Sequence, residues 1–443
     1  MNSSIALVKC KGYPMKSDKE NPKETGQKPK VAITGIGLLC CLGVDTETCW
    51  QGMLEGRSGI RRITRFDPSR CKTQIAGELP QAYFEMEKDS FTPKILRQST
   101  LASRATILAA RQALKDAAVD LEVLDKEKVA VITGCGGSTY GDEIAFVENN
   151  NSKRRRRVPI VSHGMLNALS ACITIEFGFQ GPSFNVATAC ASGAHAVGLG
   201  FDYVRHTGGM CMVVGIDTLM YEETIEGFNA LMALSERNEE PEKASRPFDG
   251  LRSGFVISEG ACALMLEPYE GAVSRGAGIY AVITGYAATS ETHNIVAPDM
   301  TGAGMAATMR LALERAGMPK EKVGYINAHG TSTYHNDLAE TRAIKMLFGE
   351  RASQIPVSSV KSMIGHSIGA AGAIEVAVCA LTLQRQVLTP TINHEVKDPE
   401  CDLDYVPNEA RRVEGLECVL SNSFGFGGHN CSIVLERNPQ DPI

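Results

Sequence analysis

Short apolar runs that end in glycine alternate along the chain with segments whose apolar residues recur every three or four positions. The first pattern predicts buried strands, and the second predicts helices that pack one face inward. The clearest strands are KVAITGIGLL from Lys30, KVAVITGCGG from Lys128 and MCMVVGIDTLM from Met210. The clearest helices are RATILAARQALKDAA from Arg104 and GMAATMRLALERAG from Gly304. Together they predict an α/β protein with a buried, largely parallel sheet.

This pattern repeats in the second half of the chain. IYAVITGYAATS, from Ile279, resembles the opening strand of the first half, and His366 precedes the small-residue run SIGAAGAIE much as Cys190 precedes ASGAHAVG. In both places a predicted strand is followed by one reactive residue and then by a helix whose first turns consist of very small residues. The predicted parts of the chain are a flexible extension at 1–29, a first half at 30–277, a second half at 278–437 and a tail at 438–443.

Composition excludes some classes of protein but does not identify a function. The 443 residues carry a net charge of −6, which argues against a general nucleic-acid binder. The 14 cysteines are scattered without a CxxC pair, which favours free thiols in a reducing cytoplasm. The polar start does not read as a secretory signal, and no later run approaches a membrane span. We therefore expect a cytoplasmic protein that binds neither membrane nor nucleic acid.

Cys190 is the best candidate for a reactive group. A thiol at a helix start lies near unpaired backbone N–H groups and the positive end of the helix dipole, which favour the thiolate. A lone cysteine is more often a small core residue, but the alanine and glycine around Cys190 leave room for a substrate. His329, in YINAHGTST, and His366 also follow strands and are placed to meet it at one sheet edge. A zinc site is the alternative, although none of the three has a second ligand nearby in sequence.

Four segments carry a resemblance to a known family. TACASG around Cys190, NAHGTST around His329, KSMIGHSIGAAGAIE around His366 and SNSFGFGGHN from Ser421 resemble the signatures of the beta-ketoacyl-ACP synthases of the I/II type. The resemblance extends from about residue 30 to 437. It implies a thiolase-like fold with duplicated halves in five αβαβα layers. It also implies a Cys-His-His centre that performs decarboxylative Claisen condensation on substrates carried by an acyl carrier protein, with no cofactor and no metal.

The resemblance assigns the central roles residue by residue. Cys190 takes the acyl group as a thioester, and His329 and His366 stabilise the enolate formed when malonyl carrier protein loses carbon dioxide. The backbone N–H groups of Cys190 and Phe426 form the oxyanion hole.

Further roles are implied for residues around this centre. The set comprises Lys361 and Glu375 as a pair bracing the second histidine, Thr331 and Thr333 on the pantetheine arm, Phe424 and Phe426 as a gate, Cys135 and Phe228 in the acyl pocket, and Arg154 and Arg155, within KRRRR, at the carrier-protein docking site.

Several readings remain open for the assembly and the pathway. The protein is expected to form a homodimer or, as the ketosynthase alpha subunit of a type II polyketide system, a heterodimer with a chain-length factor. A non-catalytic chain-length subunit is disfavoured because Cys190 is present. A degradative thiolase is disfavoured because Cys431 is followed by Ser and Ile where a C-x-G setting is needed.

Overall fold

The computed structural model of the chain describes residues 30–138 and 164–440. The predicted extension at 1–29 and the KRRRR run with Arg154 and Arg155 lie outside the described residues. The predicted boundary between 277 and 278 falls in the connection that leads from the first half into the second.

Fourteen strands and twelve α-helices are found in the described part of the chain. The strands are β1 (Val31–Cys40), β2 (Arg61–Arg62), β3 (Ile75–Ala76), β4 (Val129–Gly134), β5 (Ser183–Val186), β6 (Met210–Asp217), β7 (Gly260–Pro268), β8 (Ala281–Ser290), β9 (Tyr325–Asn327), β10 (Val357–Ser358), β11 (Val387–Leu388), β12 (Arg411–Arg412), β13 (Cys418–Gly425) and β14 (His429–Glu436). The helices are α1 (Thr46–Leu54), α2 (Gln81–Ser90), α3 (Pro93–Gln98), α4 (Leu101–Asp116), α5 (Asn167–Phe177), α6 (Ser192–Thr207), α7 (Glu222–Ala230), α8 (Tyr269–Ser274), α9 (Ala303–Ala316), α10 (Tyr334–Phe348), α11 (Lys361–Ile364) and α12 (Ala371–Arg385).

Ten strands form one sheet in the order β10-β9-β13-β14-β8-β1-β7-β6-β4-β5. Numbered within its own half, each set of five runs 3-2-4-5-1, and β1 joins the two sets by antiparallel pairing with β8. The sheet is mixed, so the prediction of a largely parallel sheet is wrong. β4 is parallel to β5 and β6, but β7 runs antiparallel to both β6 and β1, and the second half repeats this arrangement. β13 and β14 are joined by the short turn Phe426–Gly428, and the connection from β6 to β7 contains α7 but brings the chain back into the sheet in the opposite direction.

The helices complete the predicted five layers. α4 and α5 pack on one half-sheet, α9 packs on the other with α10 against it, and α6 and α12 lie between the two half-sheets and contact both. Ile368–Arg385, which includes α12, is long and apolar enough to cross a membrane, contrary to the expectation that no run approaches that length. However, 89% of this segment is buried inside the fold, as expected for the core helix of an α/β protein.

The two central helices touch through glycine. A Cβ on Gly193 of α6 would lie 2.6 Å from the carbonyl oxygen of Gly369, and a Cβ on Gly372 of α12 would lie 2.5 Å from the backbone nitrogen of Ala194. Contacts this short leave no room for a side chain, because real Cβ atoms do not approach so closely. The small residues therefore allow the first turns of both helices to meet at one point.

This contact also corrects the predicted correspondence between the halves. Each central helix is preceded by a 3₁₀ turn, Ala189–Ala191 in the first half and Ile368–Ala370 in the second. Both turns begin with a non-glycine residue at positive φ, 48° at Ala189 and 45° at Ile368. Cys190 therefore corresponds to Gly369, and His366 lies three residues before that position.

We predict opposite stability effects for alanine at two helical glycines. Gly372→Ala should lower the free energy of unfolding by about 1–3 kcal/mol, because the added methyl group overfills the contact with Ala194. Gly227→Ala should raise it by up to about 1 kcal/mol, because nothing described lies within 4 Å of a Cβ on Gly227 of α7. Urea unfolding measures both variants. Equal effects of the two substitutions would contradict the close contact.

Candidate active site

Cys190 lies in the 3₁₀ turn that leads into α6 and is buried. Ser192 holds this turn: its hydroxyl donates to the carbonyl of Ala189 at 2.7 Å and accepts from the backbone N–H of Thr188 at 2.9 Å. Gly425, at the end of β13, packs against the same turn, since a Cβ there would lie 3.2 Å from the backbone nitrogen of Cys190. Ser192 and the end of β13 thus hold the turn that carries the thiol.

The two predicted histidines converge on this thiol. His329 follows β9 and His366 follows α11, and both are buried. The Sγ atom of Cys190 and one ring nitrogen of each histidine all lie within 4.8 Å of one another. The two imidazole rings meet edge to face, with centroids 5.3 Å apart. The fold therefore brings together three reactive groups that are far apart in sequence.

Lys361 settles the tautomer of His329. Its ammonium donates to the carbonyl oxygen of His329 at 2.7 Å, lies 3.4 Å from Nδ1 of the same residue and forms a buried ion pair with Glu375. Because an ammonium only donates, Nδ1 is an acceptor and the proton of the neutral ring is on Nε2. The pair thus braces His329 and not His366, the second histidine to which the resemblance assigned it.

Both imidazoles are neutral. Burial holds the pKa of His329 well below its usual range, and the charge of Lys361 lowers it further. The pKa of His366 is depressed for the same two reasons. Neither ring nitrogen of His366 has a hydrogen-bond partner among the described residues. The site thus offers neutral N–H groups to a substrate oxygen.

The thiol differs from its predicted state. Burial raises the pKa of Cys190 to about 11, although hydrogen bonds from the backbone N–H groups of Phe426 and Cys190 lower it. The sequence-based expectation of a thiolate favoured by the helix start is therefore wrong, since removal from water outweighs the few oriented donors. At neutral pH the resting group is a thiol.

The Cys-His-His cluster also has the size of a metal site. Three ligands of this kind could hold zinc, but the ammonium of Lys361 lies within hydrogen-bonding distance of His329. A cation beside this fixed positive charge would be repelled in a medium of low polarity. The charge of Lys361 thus disfavours a metal ion at this cluster.

A cavity of about 390 Å³ opens onto the three groups. Eight of the predicted site residues line it, namely Cys190, Phe228, His329, Thr331, Thr333, His366, Phe424 and Phe426. The hydroxyl oxygens of Thr331 and Thr333 lie 2.9 Å apart along one wall. Phe426 stands between glycines, and Gly427 and Gly428 adopt φ values of 81° and 74° that favour glycine.

Cys135 is not among the described residues that line the cavity. Its Sγ lies 3.2 Å from a carboxylate oxygen of Asp217, at the end of the neighbouring strand β6. The role predicted for Cys135 in the acyl pocket stays a prediction, and its thiol lies beside that buried carboxylate. Arg154 and Arg155 lie outside the described residues.

Two buried carboxylates that the sequence reasoning missed hold the loops of the site. Glu340, on α10, accepts from the backbone N–H groups of His329 and Gly330, each at 2.9 Å. Asp217 accepts from the backbone N–H of Gly136 at 2.8 Å and of Gly369 at 2.7 Å, so it ties a loop of one half to a loop of the other. The signal for Asp217 was an acidic residue ending the apolar strand MCMVVGID. For Glu340, no sequence signal separates it from a surface helical glutamate.

Comparison with known proteins places these features in a family. Residues 28–272 match the beta-ketoacyl synthase N-terminal domain, and residues 280–395 match the beta-ketoacyl synthase C-terminal domain. The 3-oxoacyl-[acyl-carrier-protein] synthase 2 of Coxiella burnetii is 38% identical over 93% of this chain and 99% of its own.

Solved structures agree with this placement. A beta-ketoacyl synthase from Burkholderia phymatum is 33% identical, with a TM-score of 0.85 over 93% of this chain and 100% of its own. The ketosynthase of a complex described as AntDE:AntF, a type II polyketide acyl carrier protein with its ketosynthase bound to the hexaketide, is 30% identical, with a TM-score of 0.82 and the same coverage. The predicted fold is confirmed.

We predict that alkylation of Cys190 by iodoacetamide accelerates about tenfold per pH unit from pH 7 to pH 9, since only the thiolate reacts. The pKa of about 11 places this whole range below the midpoint. Mass spectrometry of the Cys190 peptide measures the rate. Free cysteine, with a pKa of about 8.5, supplies the reference curve. An alkylation rate that stops rising at or below pH 8 would instead support the thiolate expected from the helix start.

Proposed function

The chain belongs to the beta-ketoacyl synthase family and is an acyltransferase that forms carbon–carbon bonds, and we propose that Cys190, His329 and His366 perform its reaction. The reaction is that of a 3-oxoacyl-acyl-carrier-protein synthase of the fatty-acid elongation type. The observation that carries the assignment of residues is the convergence of one thiol and two neutral imidazoles within 4.8 Å at the floor of a buried cavity.

The first half-reaction transfers an acyl group to Cys190. The sulfur attacks the carbonyl carbon of an acyl thioester, and its proton passes to the departing thiol of the pantetheine arm, so one thioester is exchanged for another. The oxyanion formed on the way accepts hydrogen bonds from the backbone N–H groups of Cys190 and Phe426. The hydrogen bonding of both groups toward the Cys190 sulfur supports this role.

The second half-reaction removes carbon dioxide from malonyl carrier protein. The thioester oxygen accepts hydrogen bonds from Nε2–H of His329 and from the ring of His366, and the electron pair of the breaking C–C bond moves onto the resulting enolate. The carbon of this enolate attacks the acyl-Cys190 carbonyl, and collapse of the tetrahedral intermediate releases the 3-oxoacyl product and the Cys190 thiolate, which takes a proton from water to restore the thiol. Every step is redox-neutral, so we expect no cofactor.

The remaining predicted residues serve the substrate arm. Thr331 and Thr333 line the channel where their hydroxyls meet the polar pantetheine. Phe426 packs near Phe228, with ring centroids 6.5 Å apart, and Phe424 lies 6.1 Å from His329. Phe424 and Phe426 form the gate, and Phe228 contacts the acyl chain beyond it.

The partner of the reaction is an acyl carrier protein, and the protein itself forms a dimer. β5 is the last strand of the ten-stranded sheet, and its Phe184 and the neighbouring Ile175 of α5 are exposed. An apolar edge strand of this kind is suited to pairing with a second chain.

All thirteen cysteines in the described ranges are free thiols, which supports a cytoplasmic location.

The alternative is a ketosynthase alpha subunit of a type II polyketide system. The similarity to the AntDE:AntF ketosynthase favours it as a second candidate. Incubation of the purified chain with malonyl carrier protein and a ladder of acyl carrier proteins, followed by mass spectrometry of the products, distinguishes the two. A homodimer that elongates saturated acyl groups alone supports fatty-acid elongation. A chain that is active only with a second protein supports the alternative.

We predict that substitutions of the two histidines and of the cysteine impair different half-reactions. His329→Ala and His366→Ala should each lower malonyl decarboxylation about 10²–10³-fold, the loss expected for one oxyanion donor, while acylation of Cys190 falls much less. Cys190→Ala should abolish acylation and condensation, whereas Cys190→Gln should still decarboxylate. Radiolabelled malonyl and acyl carrier proteins measure each step. Loss of acylation in a folded histidine variant would instead mean that this histidine deprotonates the thiol.

We also predict that Arg154 and Arg155 steer the acidic carrier protein. Replacing both with Glu should raise KM for carrier-bound acyl groups and leave a small thioester mimic almost unaffected, because like charge repels only the acidic partner. Steady-state kinetics with the two substrates test this. An equal effect on both substrates would place the two arginines elsewhere.

A further inference from the structure

Three cysteines meet at the end of β1, in a part of the fold that the proposed reaction does not use. Cys40 ends β1, and Cys41 begins a tight turn that is closed by two hydrogen bonds between the backbones of Cys40 and Gly43, each at 3.1 Å. Asp45 caps α1 directly after this turn, and Cys49 lies at the start of that helix. The sulfur atoms of Cys40 and Cys49 are 3.4 Å apart. The turn and the capped helix thus hold two sulfur atoms in direct contact.

A second cavity, of about 660 Å³, reaches this cluster from the surface. None of the described residues that line the catalytic cavity lines this one. Cys41 and Leu42 of the turn form part of its wall. A Cβ on Gly59 would lie 2.3 Å from the Cys41 sulfur, so glycine leaves the space that this thiol occupies. A small solute in the second cavity therefore meets the residue next to Cys40.

Two thiols and two backbone N–H groups of the turn surround the sulfur of Cys40. Hydrogen bonds from Cys41 and Cys49 hold the pKa of Cys40 well below its usual range, and the backbone N–H groups lower it further, although burial raises it. The Cys41 sulfur also lies 3.5 Å from the carbonyl oxygen of Ile364, but a charged acceptor makes a stronger hydrogen bond than a neutral one. Burial raises the pKa of Cys49. The cluster thus pairs a thiolate on Cys40 with a protonated thiol on Cys49.

Other buried cysteines of the sheet lack this environment. Cys211, Cys262 and Cys431 are as buried as Cys40, and burial raises the pKa of each. Because the thiolate is the reactive form of cysteine, these three are expected to be inert. A thiolate beside a second thiol is instead the arrangement of a peroxide-reactive cysteine and its resolving partner.

We propose that Cys40 and Cys49 form an oxidation site for hydrogen peroxide, which enters through the second cavity, and that the product is a Cys40–Cys49 disulfide. The Cys40 thiolate attacks one peroxide oxygen, the O–O bond breaks, and a sulfenic acid and a hydroxide ion form. The Cys49 sulfur then attacks the sulfenic sulfur, and its proton leaves with the departing hydroxide as water. The first hydroxide takes up the proton that the Cys40 thiol had released.

This chemistry balances without a cofactor. The two thiols lose two electrons, and the peroxide is reduced to two molecules of water. Thiol–disulfide exchange with a small thiol returns both cysteines to the reduced state. The inference does not depend on the proposed function, because Cys190 takes no part in it.

Hydrogen peroxide and mass spectrometry of the whole chain test this site. The reaction is stopped in acid, the protein is unfolded, and the remaining thiols are blocked with N-ethylmaleimide. Cleavage before Asp45 separates Cys40 from Cys49, so the disulfide joins two peptides that dithiothreitol releases. We expect this linked pair to form at least about tenfold faster than Cys211 or Cys262 is oxidised, because only a thiolate reacts.

Single substitutions assign the two steps. Cys49→Ser should abolish the linked pair and leave a sulfenic acid on Cys40 that dimedone traps, whereas Cys40→Ser should give neither product. Cys41→Ser keeps a donor beside Cys40 and should still form the linked pair. The matched control is Cys172→Ser on α5, since Cys172 is half-buried like Cys41 and does not line the second cavity. It should behave as the wild type, and circular dichroism checks that each variant is folded.

The wild-type chain alone can overturn the inference, even where a buried serine unfolds a variant. If Cys40 and Cys49 are still blocked by N-ethylmaleimide once Cys211 and Cys262 are oxidised, the cluster is not an oxidation site. A linked pair that persists in folded Cys40→Ser would run through Cys41 and would overturn the assignment. A disulfide between two chains, seen as doubled mass on a non-reducing gel and lost in Cys40→Ser, would also overturn it.

Discussion

The close contact between α6 and α12 is the constraint on which the rest of the structure depends. Gly193 and Gly372 have no side chains to separate the two helices, so the turns before them meet between the two half-sheets. One turn carries Cys190, and the other follows directly from His366. Any larger residue would push the halves apart and separate the thiol from the imidazole. The distance between the reactive groups therefore depends on the small residues at the two helix starts.

Burial at that meeting point decides the charge state of the reactive groups. It holds Cys190 as a thiol and both histidines as neutral imidazoles, since a charge is costly away from water. The buried ammonium of Lys361 is tolerated because Glu375 pairs with it. It then serves the chemistry by fixing which nitrogen of His329 carries the proton. A hydrogen-bond donor for an enolate needs that arrangement and not a full positive charge.

The cavity joins this buried chemistry to an opening of different character. Cys190, His329 and His366 are buried at its floor, whereas Leu231, Met232 and Tyr334 at its mouth are exposed. The turn that carries Phe426 is tied to the segment beside the mouth by the hydrogen bond from the backbone N–H of Gly427 to the carbonyl of Ile295.

The sequence alone determined the α/β class and the duplication, and it predicted Cys190, His329 and His366 as reactive residues, which the structure brings together. Short-range patterns and local motifs carry that information. The tertiary structure decided what depends on groups distant in sequence. The thiol state of Cys190 follows from burial by both halves, the tautomer of His329 follows from Lys361, and Cys135 is directed to Asp217 across the sheet. The tertiary structure also decided the strand directions, since apolar runs predict strands but do not show whether neighbouring strands run parallel or antiparallel. These properties depend on distance in space and desolvation, which no single segment encodes.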